Sequence, residues 1–227
     1  LRKAFLGPML FGLAAGIALF AWGVRNFYAL VSLSLCAFVT ATIVEEFWRG
    51  VRARQTMMGE NALVALARLV GKNRRRYGGY VVHIGIVMIF LGITGTSAFK
   101  QERQVSLERG QTFEVGDYTL RFDGVDSEDD AHVATLLANL AVFRGGEQVD
   151  LLRPEKRFYK KPEQPATEVA IRSTFGADLY LVLGSWDPKS GVVTILAYLN
   201  PLVGFMWWGG IVLTLGTAIG IWPARVE

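Results

Sequence analysis

Apolar and polar positions along this chain repeat on two different scales. Four stretches, residues 5–22, 27–44, 80–98 and 202–222, are apolar on every face and carry no acid, lysine or arginine in their central turns. Each is close to the roughly 20 residues that a hydrocarbon layer of about 30 Å requires. A core helix of a water-soluble protein would be shorter and would show a polar face every third or fourth residue, which residues 12–20 and 87–95 do not. The pattern therefore predicts four transmembrane helices. A cleaved signal peptide does not fit the first of them, because a second span begins almost at once and no small-residue cleavage site leads into a soluble region.

Between the third and fourth spans the period shortens to two. Thr112-Phe113-Glu114-Val115, Tyr118-Thr119-Leu120-Arg121-Phe122 and Thr167-Glu168-Val169-Ala170-Ile171-Arg172 alternate as strands do, and Val115-Gly116-Asp117 and Arg144-Gly145-Gly146-Glu147 read as tight turns. Residues 179–183 and 192–199 add two candidates, giving a small antiparallel sheet or partly closed barrel of about six strands. Asp126-Ser127-Glu128-Asp129-Asp130 reads as a solvated acidic loop, since it lacks the glycine and distal glutamate of an EF-hand calcium loop. The expected architecture is an α-helical membrane protein with an inserted small antiparallel β-domain outside the membrane. Its parts are two transmembrane helices in 1–46, a basic loop in 47–79, a third span in 80–98, the β-domain in 99–200, and a fourth span with its tail in 201–227.

Charge sets the expected orientation. Arg49, Arg52, Arg54, Arg68, Lys72, Arg74, Arg75 and Arg76 outnumber Glu45, Glu46 and Glu60 between the second and third spans, which marks that segment as cytoplasmic. Arg2 and Lys3 before the first span and Arg225 after the last place both termini on the same side, leaving 99–200 for the outside. The net charge of +4 is accounted for by these flanks, so the basic run is a topology and lipid-contact signal and no nucleic-acid partner is expected.

Candidate chemistry is sparse. Cys36 is alone and within a span, so no disulfide, CxxC or CxxCH motif exists, and the two histidines, His83 and His132, form no zinc cluster. No phosphate loop or nucleophile elbow is present. His132 beside the acidic loop reads as a solvated side chain, and Tyr77, Tyr80, Trp207, Trp208 and Trp222 read as interfacial aromatic belts. His83, just inside an apolar segment, stands out. An ionisable group there is costly without a partner, and a neutral imidazole is a good iron ligand. A carbonyl of a neighbouring span or the membrane interface would also satisfy it.

The run Asn73-Arg74-Arg75-Arg76-Tyr77-Gly78-Gly79-Tyr80-Val81-Val82-His83-Ile84-Gly85 resembles the signature of the CcmF family, the haem lyase subunits of bacterial c-type cytochrome maturation. Glu45-Glu46-Phe47-Trp48-Arg49-Gly50, the β-rich segment, and Tyr198-Leu199-Asn200-Pro201-Leu202-Val203 leading into Trp207-Trp208-Gly209-Gly210 are similar to that family's C-terminal part, in the same order. Family members are longer, with a tryptophan-rich haem-handling segment flanked by two outward histidines and a further membrane histidine upstream. None of these is in this sequence, and Trp207-Trp208 lacks the following aspartate. Together with Leu1 in place of an initiator methionine, this gives the expectation of a fragment or processed piece.

The resemblance implies that His83 is one axial ligand of a membrane b-type haem and that Arg74, Arg75 and Arg76 are candidates to pair its propionates, guanidinium forks matching carboxylates in two-point geometry. A plain positive-inside anchor is the other reading of those arginines. The opposing axial ligand would come from outside this chain. Implied partners are a periplasmic haem chaperone, apocytochrome c, other cytochrome c maturation subunits, membrane lipid, and quinol as electron source. The whole protein would position haem for thioether attachment to apocytochrome c. A competing reading is a non-catalytic membrane scaffold whose β-domain docks assembly partners. No span has the broken, polar centre of a transporter site.

Overall fold

The computed structural model describes residues 2–161 and 163–222, and for 2–4 and 163 the backbone alone. Leu1, Arg225 and the side chains of Arg2 and Lys3, on which part of the topology reading rests, lie outside the described residues. The chain divides into a helical unit, which ends at Ala98 and resumes at Leu202, and a β unit, Phe99–Pro201.

The helical unit contains α1 (Arg2–Ala21), α2 (Phe27–Met58), α3 (Ala62–Lys72), α4 (Arg74–Phe99) and α5 (Gly204–Ile221). Among the described residues, α2, α4 and α5 are long and apolar enough to cross a membrane, whereas the apolar stretch of α1, Phe5–Ala21, is shorter. Asn26 starts α2 by accepting from the Ala29 N–H at 3.1 Å, and Gly59, at φ 64°, ends it. Its 32 residues rise by about 48 Å, well past a hydrocarbon layer, so its last turns project from the apolar zone. The basic stretch 47–79, expected as a loop, is in fact helical over most of its length. Arg, Gln, Met, Leu and Ala favour helix there, and Glu45 pairs with Arg49 one turn on.

Small residues let the helices approach. A Cβ on Gly12 would lie 2.9 Å from Phe38 Cβ, which brings α1 onto α2. Ser32 on α2 and Thr94 on α4 share a hydroxyl hydrogen bond of 2.7 Å. On α4, Gly78, Gly85 and Gly92 recur every seventh residue and meet α5 in antiparallel order, at Gly216 and Gly220, at Gly209 and Leu213, and at Leu202 and Met206. These are close approaches to backbone, the arrangement by which membrane helices gain dispersion energy without a solvent to drive them together.

The β unit is an antiparallel sandwich. Its strands are β1 (Gln101–Leu107), β2 (Thr112–Val115), β3 (Tyr118–Asp129), β4 (Val133–Arg144), β5 (Glu147–Leu152), β6 (Glu155–Lys160), β7 (Glu163–Glu168), β8 (Ala170–Ser173), β9 (Ala177–Trp186) and β10 (Val193–Pro201). One sheet has the order β1-β10-β9-β8; the other runs β2-β3-β4-β6-β7, with β5 also paired to β4. Alternate residues point inward, so Leu120 and Phe122, Leu140 and Val142, Leu179, Leu181 and Leu183, and Val193, Ile195 and Ala197 form one buried core.

Three expectations need correction here. The strand predicted over 167–172 is two strands, β7 and β8, in different sheets, with the chain crossing between them at Val169. The acidic stretch 126–130 is no loop through most of its length. Past a bulge at Asp123-Gly124, β3 continues and pairs Asp126 with Leu137 and Asp129 with Ala134, leaving Asp130, Ala131 and His132 for the turn. Among the described residues the strands number ten, because β4 reads in sequence as a continuous apolar run and β1 and β6 as charged ones.

Candidate functional site

At about 100° per residue, Gly79, His83, Ile86, Phe90 and Ile93 fall on one stripe of α4. His83, Ile86, Phe90 and Ile93 are exposed in this chain, and a Cβ on Gly79 would meet nothing within 4 Å, so the backbone beside the imidazole offers an open, flat face. His83 Nδ1 lies 2.7 Å from the Gly79 carbonyl oxygen, the residue one turn before it. A carbonyl only accepts, so Nδ1 carries the proton and donates, and in a neutral imidazole Nε2 is then the nitrogen with the lone pair. A metal-binding imidazole needs this arrangement, with one nitrogen oriented by a carbonyl and the other presented as donor to the metal. A neighbouring span was one candidate source of that carbonyl; it belongs instead to His83's own helix.

The three arginines point to different sides. Arg74 is nine residues from His83, about half a revolution away, and shares an apolar crevice with Leu215, Ala218 and Trp222 of the α5 end. Arg75 and Arg76 flank the His83 stripe. Arg75 is exposed, and Arg76 forms an ion pair with Glu46 on α2 and donates from Nε to the Tyr80 hydroxyl at 3.2 Å. All three also line a cleft of about 610 Å³ with Lys72, Asn73 and the Gly220-Ile221-Trp222 end of α5. His83 does not line that cleft.

The two helical motifs singled out in the sequence pack against each other. Tyr80 donates to Glu46 at 3.4 Å, the Phe47 ring lies 5.0 Å from that of Tyr77, and a Cβ on Gly50 would come within 2.7 Å of the Tyr77 hydroxyl. Tyr77, read above as an interfacial aromatic, is instead buried between α2 and α4, at 4% exposure. Glu46 and Tyr80, the partners of Arg76, escape a reading of the sequence. The available signal was charge: Glu45 and Glu46 are acids at the end of an apolar run, facing a basic run at the start of the next. His132 sits in the β3–β4 turn, in the other unit, and takes no part in this arrangement. Among the described residues no group of three or more His, Cys, Asp or Glu could hold a metal ion.

Comparison with known proteins bears on this arrangement. The family described as the CcmF C-terminal beta-sandwich matches residues 98–201. The cytochrome c-type biogenesis protein CcmF of Pseudomonas aeruginosa is 28% identical over 213 residues, which is 93% of this chain and 30% of that protein. CycK of Rhizobium meliloti is 33% identical over 72% of this chain and 24% of its own length, and ccl1 of Rhodobacter capsulatus 28% over 99% and 34%. The solved structure of a cytochrome c heme lyase CcmF superposes with a TM-score of 0.72 at 26% identity, over 95% of this chain and 34% of that one. The chain thus spans between a quarter and about a third of these relatives. With both helical motifs and the sandwich in the family's order, the chain belongs to the CcmF family and corresponds to its members' C-terminal part.

Proposed function

We propose that this chain is the part of a membrane haem lyase subunit that holds a b-type haem through His83 and so serves the covalent attachment of haem to apocytochrome c. The observation that carries the reading is the setting of the imidazole: Gly79 engages Nδ1, and His83 lies on an exposed stripe of α4 beside an open glycine. The residues fit the group in three further respects. Ile86 and Phe90 give the flat macrocycle an apolar bed. Arg75 and Arg76 lie toward the helix end, about 10 to 12 Å along the axis from His83, on the side where propionates would emerge. Glu46 holds Arg76 in place, which makes Arg75 the freer of the two to pair a carboxylate. Arg74 lies on the opposite side of α4. Bound on the His83 stripe, haem would supply one-electron chemistry, with His83 holding it and Ile86 and Phe90 orienting it against an apolar surface.

On this reading Phe5–Ala21, with the residues before it, completes a fourth span. The basic α2–α4 connection is cytoplasmic, the β unit periplasmic, and a haem chaperone, apocytochrome c, other maturation subunits and quinol are the partners of the whole assembly. The test is the visible spectrum of the purified chain loaded with b-type haem and then freed of unbound haem by gel filtration, with no imidazole added. Wild type retains haem with the spectrum of a histidine-ligated b-type haem, and His83→Ala at equal protein level loses it. An identical spectrum from His83→Ala refutes the assignment.

A further inference from the structure

The short helix α3 has a bare apolar face that the haem reading leaves unused. We infer that α3 lies flat in the lipid headgroup layer, on the side of the membrane where α2 ends and α4 begins, with its apolar stripe among the acyl chains. The inference rests on the reading that α2 and α4 span a bilayer.

The rotation of α3 is fixed by contacts at its start and along one face. Asn61 caps it, accepting from the Val64 N–H at 2.9 Å. Glu60, just before the cap, accepts from both Arg54 of α2, at 3.0 and 3.1 Å, and Arg68 of α3, at 2.6 Å. Ala65 and Leu69 are buried, Leu69 against Gly50 of α2. Successive steps of about 100° then place Leu66, Val70, Leu63 and Ala67 together on a face turned away from the buried Ala65 and Leu69, and Arg68 and Lys72 on the side opposite that apolar face. The apolar face is bare: Leu63 is 79% exposed, and Met57, at the end of α2, is 78% exposed.

Two observations commit this face to lipid in preference to another protein. Ala67 and Val70 on α3 open into an apolar crevice of about 440 Å³ whose other wall is Leu215, Ala218, Ile219 and Trp222 at the end of α5, so the bare face is continuous with a helix long and apolar enough to cross the membrane. The opposite side of α3 is cationic. Arg68 and Lys72 are exposed there, and each basic side chain near an anionic leaflet is attracted to its phosphates. An apolar stripe, a basic opposite side and connection to spanning helices at both ends are the features of an in-plane helix.

The test is a spin-label scan of the whole chain in nanodiscs of phosphatidylcholine and phosphatidylglycerol, in a Cys36→Ala background, with single cysteines at Leu63, Leu66, Val70, Arg68 and, as a membrane control, Leu35 on α2. Expected is several-fold higher collision with oxygen than with a water-soluble nickel chelate at Leu63, Leu66 and Val70, and the reverse at Arg68. A nickel-accessible Leu63 and Leu66 overturns the inference, as do labels there that neither reagent reaches, which would mean a protein surface covers them. If Leu35 itself is nickel-accessible, the failure lies with the membrane reading, whereas an oxygen-accessible Leu35 with a wet α3 isolates the failure to this inference.

Discussion

Gly85 is the position where a single methyl group should be felt most. A Cβ there would lie 2.6 Å from the Leu213 backbone nitrogen and 2.7 Å from the Gly209 carbonyl oxygen, where ordinary contact begins at 3.4 Å. Both obstacles are backbone, so no side-chain rotation relieves the clash, and α4 and α5 must part by about 1 Å. Overpacking of this kind costs about 1–3 kcal/mol, and separation also loosens the Gly78 and Gly92 contacts on the same seam. Alanine's better helix propensity returns up to about 1 kcal/mol. A Cβ on Gly210, the neighbour of Gly209, would meet nothing within 4 Å, so alanine there gains only the propensity term. The propensity term cancels between the two, so Gly85→Ala should be less stable than Gly210→Ala by about 1–3 kcal/mol, although the chemical change is the same. Unfolding by sodium dodecyl sulfate in mixed micelles, followed through Trp207 and Trp208 on α5, measures the difference. Equal midpoints for the two variants would refute the account of the α4–α5 seam.

Two further outcomes follow from other parts of the molecule. Phe122 is fully buried in the sandwich core, so Phe122→Ala should remove about 3–5 kcal/mol from the β unit, visible as an early loss of near-ultraviolet circular dichroism on heating; a loss under about 1 kcal/mol would contradict the core assignment. The Arg54 hydrogen bonds, with Arg68 adding to them, hold the Glu60 carboxyl below the usual carboxylate range. A carboxylate with a lowered folded value stabilises above its unfolded value and loses that contribution as pH falls through the folded one. Hydrogen-exchange protection of the α3 amides should thus weaken on acidification below the ordinary glutamate range, and Glu60→Gln should show weak protection throughout. Acid-independent protection in wild type would show that Glu60 does not fix α3.

The helices long and apolar enough to cross a membrane, α2, α4 and α5, were legible because such a helix leaves one plain signal, a long run without charge. Helix ends were less so: α2 continues fourteen residues past Val44, since nothing in hydropathy reports a helix that carries on in water. Strands with strict alternation, β2, the first half of β3 and β10, were legible for the same reason that their faces are distinct. β4 was not, because Leu136, Leu137 and Ala138 put apolar residues on both faces, and β7 and β8 were merged because a change of sheet at Val169 leaves the alternation unbroken. His83 stood out through its setting, yet its tautomer depends on a carbonyl one turn back, which spacing alone does not single out. The Glu46, Arg76 and Tyr80 cluster is tertiary, joining residues thirty or more apart, and no local pattern encodes it.

The two ends of the β unit are neighbours in one ladder, Gln101 opposite Leu199 and Glu102 opposite Tyr198. On the helical side, Gly92 of α4 meets Leu202 and Met206. A floppy connection as long as residues 99–201 would burden the meeting of α4 and α5 with roughly 3 kcal/mol more closure entropy than a connection of a few residues. Once β1 and β10 have zipped, that whole insertion acts as a short hairpin turn. The sandwich thereby lowers the entropic cost of bringing α4 and α5 together.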